Sequence, residues 1–171
     1  MTVTIRGTEP SDYEAVQRIF ASPRAVWGTL QLPFPSVEGW RKRLAEPPEG
    51  LFGFVACVEK EVVGQLDLYT FPHKPRRRRV GQIGMAVRDD RQGQGIGTAL
   101  MKAAIDLADN WLNLTRLELE VFVDNVPAVR LYQKCGFTIE GTMVDFAFRN
   151  GGYVDVYLMA RRLRNRMPIN E

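Results

Sequence analysis

Cysteine and histidine are nearly missing from this 171-residue chain, and no apolar run reaches the ~18 residues that a membrane-spanning helix needs. Cys57 and Cys135 are too few and too far apart for a disulfide framework or a metal-ligand spacing, and His73 stands alone, so no metal site is read. The opening stretch, Met1 to Arg6, has neither an apolar core nor a small-residue cleavage site, which leaves no secretory signal to recognise. A cytoplasmic protein is the expectation. Charge of one sign is also scarce: 23 Lys and Arg stand against 20 Asp and Glu, a net +3. So small an excess suits a polyanionic ligand and equally suits a chain with no charged partner. Repeats, low-complexity tracts and linker-like segments are lacking too, so residues 1–171 are expected to form one domain with its own core.

What is present is a succession of periods. Ile5 and Arg6 end a first strand. Ser11 with Glu14 three residues on has capping-box spacing and predicts a helix start, with Val16, Ile19 and Phe20 as its apolar stripe. The stretch from Pro23 to Pro35 reads as irregular. Ser36 is expected to cap a second helix through Val37, Trp40 and Leu44, stopped by Pro47 and Pro48. Alternation from Phe52 to Val58 and again from Val63 to Phe71 predicts a hairpin about Glu59-Lys60-Glu61. A polar loop ending in four arginines leads to a third strand, Val80 to Val87. The next helix should bury Ile96, Leu100, Ala103, Ala104, Leu107 and Trp111. A strand from Arg116 to Val123 feeds a short helix opening at Asn125-Val126-Pro127 and closing at Gly136; a hairpin around Asn150-Gly151-Gly152 follows. The expected class is α/β, with a mixed, mostly antiparallel sheet and flanking helices.

Between the third strand and its helix lies Gln92-Gly93-Gln94-Gly95-Ile96-Gly97-Thr98. A helix N-terminus offers free N–H groups and partial positive charge, and bare glycines let a phosphate approach the backbone. Arg88 and Arg91 add charge beside it. The Gly-Lys-Ser/Thr ending of a Walker loop is missing, and a dinucleotide fingerprint starting at Gly93 fails at Thr98. The spacing alone leaves two readings open, a phosphate cradle or a turn that packs strand against helix.

Two blocks in order give the chain a more specific likeness. Gln92-x-x-Gly95-x-Gly97 resembles the Arg/Gln-x-x-Gly-x-Gly/Ala signature of the GNAT superfamily. The run from Asn125 through Ala128, Leu131, Tyr132, Gly136 and Phe137 resembles its Asn-x-x-Ala-x-x-Leu-Tyr-x-x-x-Gly-Phe block. The resemblance implies the GNAT fold and a direct acetyl transfer from acetyl-CoA to an amine. It places the pyrophosphate on the amides of Gln92, Gly93, Gln94, Gly95, Ile96, Gly97 and Thr98. The pantetheine arm would pair with the backbone of Met85, Ala86 and Val87, where the Val87 amide would polarise the thioester carbonyl. Tyr132 matches the family's general acid, although its helix face with Val129 and Cys135 also suits a core aromatic. Asn125 is read both as a pantetheine contact and as a helix cap. Ala128 gives room for the cofactor, and Lys134 is read either as a phosphate ligand or as a solvated lysine.

An amine acceptor is mostly protonated at neutral pH, so a base or water relay is needed. Glu118 and Glu120 share a strand face. Glu120, twelve residues before Tyr132, resembles the base of relatives that acetylate protein N-termini; a solvated sheet face is the alternative. The acceptor pocket of this family points to Trp27, Thr29, Leu30, Gln31 and Phe34, with Tyr69 or Tyr153 closing the wall, or else these aromatics are core. The stretch from Trp27 to Pro35, with the segments at Asp124 and Arg149, is similar to a bacterial subgroup that acetylates free L-amino acids. A primary amine of that kind is the expected acceptor; the alternatives are a protein N-terminus, including a ribosomal protein, or a non-catalytic acyl-CoA-binding module. The Arg76-to-Arg79 run, without interleaved aromatics, reads as a solvated loop or a phosphate helper, and neither nucleic acid nor membrane is expected as a partner. The apolar C-terminal strand and family habit both suggest a homodimer.

Overall fold

The computed structural model describes residues 2–163. Strand β1 (Val3–Gly7) leads through a 3₁₀ turn, Pro10–Asp12, into α1 (Tyr13–Ala21), α2 (Pro23–Gly28) and α3 (Val37–Ala45). A meander of β2 (Leu51–Val58), β3 (Glu61–Thr70) and β4 (Val80–Val87) follows. Then come α4 (Ile96–Asp106), a π turn over Leu107–Trp111, β5 (Arg116–Phe122), α5 (Val126–Lys134), β6 (Thr138–Arg149) and β7 (Gly152–Arg162). The seven strands form one sheet in the order β1-β2-β3-β4-β5-β7-β6, antiparallel at every junction except β4–β5. The expected mixed, mostly antiparallel sheet with flanking helices is what forms.

Strand alternation sorts side chains to two cores. Ala56, Leu66, Leu68, Ile83, Leu117 and Leu119 pack under α4 and α5, against Leu100, Met101, Val129 and Tyr132. Val55, Val62 and Ala86 point the other way, to Val16, Ile19, Phe20 and Trp40 of α1 and α3. The hairpin turns work as expected. Glu59 and Lys60, and then Asn150 and Gly151, hold the positive φ values of two-residue turns. Ser36 Oγ accepts from Gly39 N at 3.1 Å and caps α3. Among the described residues, no helix is long and apolar enough to cross a membrane.

Three expectations are corrected. The first helix is not capped from Ser11; a 3₁₀ turn precedes it, and Asp12 Oδ2 takes the Glu9 N–H at 2.8 Å. The stretch after Pro23 is not wholly irregular, because Pro23 sits in the first turn of α2, where a missing N–H costs nothing. Trp111 does not join the core: the π turn rotates it out of the α4 stripe and leaves it 77% exposed.

Candidate functional site

Strands β4 and β5 pair over three rungs only, Val80–Arg116, Gly81–Leu117 and Gln82–Glu118. Beyond Gln82 they part, β4 staying on β3 as far as Val87 and β5 staying on β7 as far as Phe122. The parted strands frame a cavity of about 730 Å³. Its lining comes from both faces of the sheet: Ile96, Ala128, Leu131 and Tyr132 from the α4–α5 side, Ala25, Gly28, Tyr69, Gln82 and Phe122 from the other. The cavity therefore passes through the sheet.

The open edge of β4 carries unpaired backbone groups. Arg88 N donates to Val63 O at 2.8 Å, so antiparallel alternation turns the N–H groups of Met85 and Val87 away from β3 and toward the split. Val87 O accepts from Gln92 Nε2 at 3.1 Å, which fixes the strand end against the glycine turn. In that turn Gly93 (φ 74°) and Gly95 (φ 82°) are left-handed, and a Cβ on either would meet nothing within 4 Å. Gly95 is the N-cap of α4 and offers no side chain to its first-turn amides. The Arg91 Nε is buried beside them with no hydrogen bond, its nearest charge being Asp90 Oδ2 at 3.6 Å. Gly97 has a further reason for being small: a Cβ there would stand 3.0 Å from Leu131. Bare amides, a helix terminus and a guanidinium beside them suit a phosphate-bearing ligand.

Tyr132 is 7% exposed, lines the cavity and packs on Phe137. Burial, with a smaller push from Cys135, raises its phenol to about 12. Glu120 lines the cavity across the split, and burial and then the charge of Glu118 push its carboxyl above the ordinary range. Glu118 itself is held by Arg77 Nη2 at 2.6 Å and Arg116 Nε at 2.7 Å. That pairing also gives Arg77 of the arginine run a structural place, which its cation–π contact with Phe71 reinforces.

The cavity collects Met85, Ala86, Val87, Gln92, Gly93, Gly95, Ile96, Gly97, Thr98, Asn125 and Ala128, and also Thr29, Leu30 and Tyr69. Asn125 Oδ1 accepts from Ala128 N and caps α5. Six residues of the sequence reading are not brought to the wall. Gln94 turns back to the carbonyl of Asp90. Lys134 lies two residues past Tyr132, on the outer side of α5. The Trp27 ring stacks on Arg149, whose guanidinium lies 3.9 Å from the ring centroid and also pairs with Asp124. Gln31 closes a local turn on Thr29 Oγ1. Phe34 is 98% exposed, and Tyr153 packs edge-on against Phe148 near the outer hairpin turn. Arg88 is spent on Glu61 and Asp90 and lends no charge to the turn.

Residues that sequence reasoning missed include Arg24, Gln82, Gly84, Phe146 and Val156. No local pattern marks them, since strand pairing and the α2 dock bring them in. Arg24 N donates to Asp89 Oδ2 at 3.0 Å and ties α2 to the turn before the glycines.

The family model described as Acetyltransferase (GNAT) family matches residues 13–137. L-amino acid N-acetyltransferase AaaT of Escherichia coli (strain K12) is 46% identical over 159 residues, 93% of this chain and 97% of that protein. The crystal structure of spermidine N-acetyltransferase from Vibrio cholerae in complex with CoA and spermine is 27% identical, with a TM-score of 0.80 over 94% of this chain and 95% of that chain. A phosphinothricin acetyltransferase from Sinorhizobium meliloti in complex with AcCoA shares the fold at 22% identity, TM-score 0.83, over 95% of this chain and 89% of that one.

Proposed function

The chain belongs to the acetyltransferase (GNAT) family and is an N-acetyltransferase, and from that premise we propose that it acetylates the α-amine of a free amino acid or a related small molecule, with acetyl-CoA as donor. The observation that carries this reading is the cavity running through the sheet, with the glycine turn at one end and Glu120 at the other. The acceptor class rests on the E. coli amino acid acetyltransferase, to which the chain is similar over nearly its whole length.

The residues present fit the donor. The amides from Gln92 to Thr98, with the Arg91 guanidinium beside them, would hold the pyrophosphate, where negative charge meets the α4 terminus. The unpaired edge of β4 receives the extended arm of the donor through Met85 and Val87. The Val87 N–H polarises the thioester carbonyl, a donor fixed before the reaction. Acetyl-CoA, when bound, supplies the activated acyl group.

Glu120 takes the proton of the acceptor ammonium. Its raised proton affinity brings it closer to an α-amine titrating near ~8, which an ordinary carboxylate would serve poorly. Glu118, held by two guanidiniums, is left to support Glu120 through its charge. Tyr132 stays protonated at neutral pH and donates to the departing sulfur. A thiol ordinarily titrates near ~8.5, well below this phenol, so complete proton transfer runs uphill. Tyr132 therefore acts first as a hydrogen-bond donor to the developing thiolate. Base and acid stand on opposite faces of the sheet, so amine entry and sulfur departure do not compete for space.

Free-thiol release from acetyl-CoA, measured over free amino acids, polyamines and peptides, tests the reading. Turnover confined to amino acids is expected. Turnover only of polyamines or peptides would replace the acceptor class, and no turnover of any amine despite cofactor binding would remove the enzyme reading.

A further inference from the structure

A glycine inside a strand needs a reason, because it costs about 0.5–1 kcal/mol relative to alanine. Two reasons are common, a left-handed backbone or a neighbour too close for a Cβ. Gly81 of β4 has the second: a Cβ there would meet Leu68, Leu114 and Leu117 at 2.8–2.9 Å. Gly84, three residues on, has neither. Its φ lies outside the left-handed region, its pairing with Asp67 of β3 is regular, and a Cβ would find no atom within 4 Å. The space it leaves belongs to the cavity, on the face that Gly84 shares with Gln82, Ala86 and Glu120.

That space has a built border. Tyr69, opposite Gln82 in register, donates its hydroxyl proton to Asp67 Oδ2 at 3.2 Å and accepts from Arg43 Nη2 at 2.9 Å. Asp67, itself buried, also takes a hydrogen bond from Gln65. The Tyr69 ring is thus locked at the closed end of the split and cannot swing aside for a larger guest.

We infer that Gly84 sets the size of the acceptor, its missing side chain being the clearance in which the group next to the reacting amine lies. This deepens the acceptor reading above and rests on it. The test compares Gly84→Ala and Gly84→Val with the unaltered protein. Measured are kcat/KM for amino acids from alanine to phenylalanine, acetyl-CoA affinity by calorimetry, and the melting temperature. Expected are a melting temperature no lower for Gly84→Ala and donor affinity within twofold. For the largest acceptor kcat/KM should fall about tenfold to a hundredfold, against less than threefold for the smallest, with the contrast steeper in Gly84→Val. Equal losses for all acceptors, weakened donor binding, or no change would each overturn the inference. If the unaltered protein turns over some other amine and no amino acid, the acceptor class fails separately. The same two variants and the unaltered protein are then read on that amine and its shorter homologues, with the same criteria.

Discussion

Tyr132 and Glu120 owe their proton affinities to their surroundings more than to their chemistry, and each predicts a different kinetic signature. Tyr132 is enclosed by the α4–α5 core, so its phenol stays neutral and its oxygen is the polar atom it can present to the cavity. Removing that oxygen in Tyr132→Phe keeps the packing and deletes one preorganised donor. The expected loss is about 10²–10³ in kcat with KM nearly unchanged, as for other oxyanion-type donors; an equal loss in KM alone would assign Tyr132 to binding. Glu120 gives a signature in pH. Its folded pKa is raised by burial and by Glu118, so its base form is lost at a higher pH than an ordinary carboxylate's. In Glu120→Gln the rate should follow the fraction of free amine alone, falling ~tenfold per pH unit below the amine pKa. The ratio of unaltered to variant rate should therefore widen as pH falls from 9 toward 6. A ratio constant across that range would take Glu120 out of the proton path.

At the scale of elements, the entry to α1 shows how a local signal can point to the right place through the wrong residue. Ser11 and Glu14 have the spacing of a box, but Asp12 is the residue that closes the turn, because Arg6 of β1 holds it from below through two 2.8 Å hydrogen bonds. Burial opposes the Asp12 charge; Arg6 and the Glu9 N–H outweigh it, and the carboxyl sits below its usual range. A depressed folded pKa contributes stability above the unfolded value, about 3.9, and the contribution is lost as pH falls through the folded one. Arg6→Leu should cost roughly 2–4 kcal/mol at pH 7, less than a fully buried pair because Arg6 is partly exposed. The deficit should hold from pH 7 down to about 4 and shrink only below that, as read by chemical denaturation at pH 7, 4 and 3. Elements carried by period or turn chemistry were legible: β4 and its helix, the hairpin at Asn150, the Ser36 cap. The glycine turn was legible for the same reason, being contiguous. Helix α2 was hidden because Pro23 reads as a breaker unless it is known to open a turn. Gln82, Gly84 and Phe146 were hidden because pairing between distant strands, rather than spacing, makes them neighbours. Lys134 and Gln94 show the converse, residues inside a recognisable block that local geometry turns away.

For the whole molecule, the donor should act as a stabiliser. Binding to the folded state alone adds RT ln(1 + [L]/Kd), about 2.7 kcal/mol at a hundredfold excess over Kd. For a chain of this length that corresponds to a melting temperature rise of roughly 5–10 °C in a thermal scan with acetyl-CoA. A rise that survives in Tyr132→Phe would separate holding the donor from using it, since the turn and the β4 edge are untouched by that change.

The three-rung junction of β4 and β5 has a mechanical meaning as well. A sheet resists bending wherever neighbouring strands are laced together, and here the lacing stops at Gln82 and Glu118. A slot cut part-way through a plate concentrates strain at its tip. In this plate Arg77, from the turn that precedes β4, reaches Glu118 of β5 and sits at the tip like a rivet that keeps the cut from lengthening. The two halves of the plate can then flex about one line, and a strand-shaped guest laid in the slot completes the lacing and stiffens the whole.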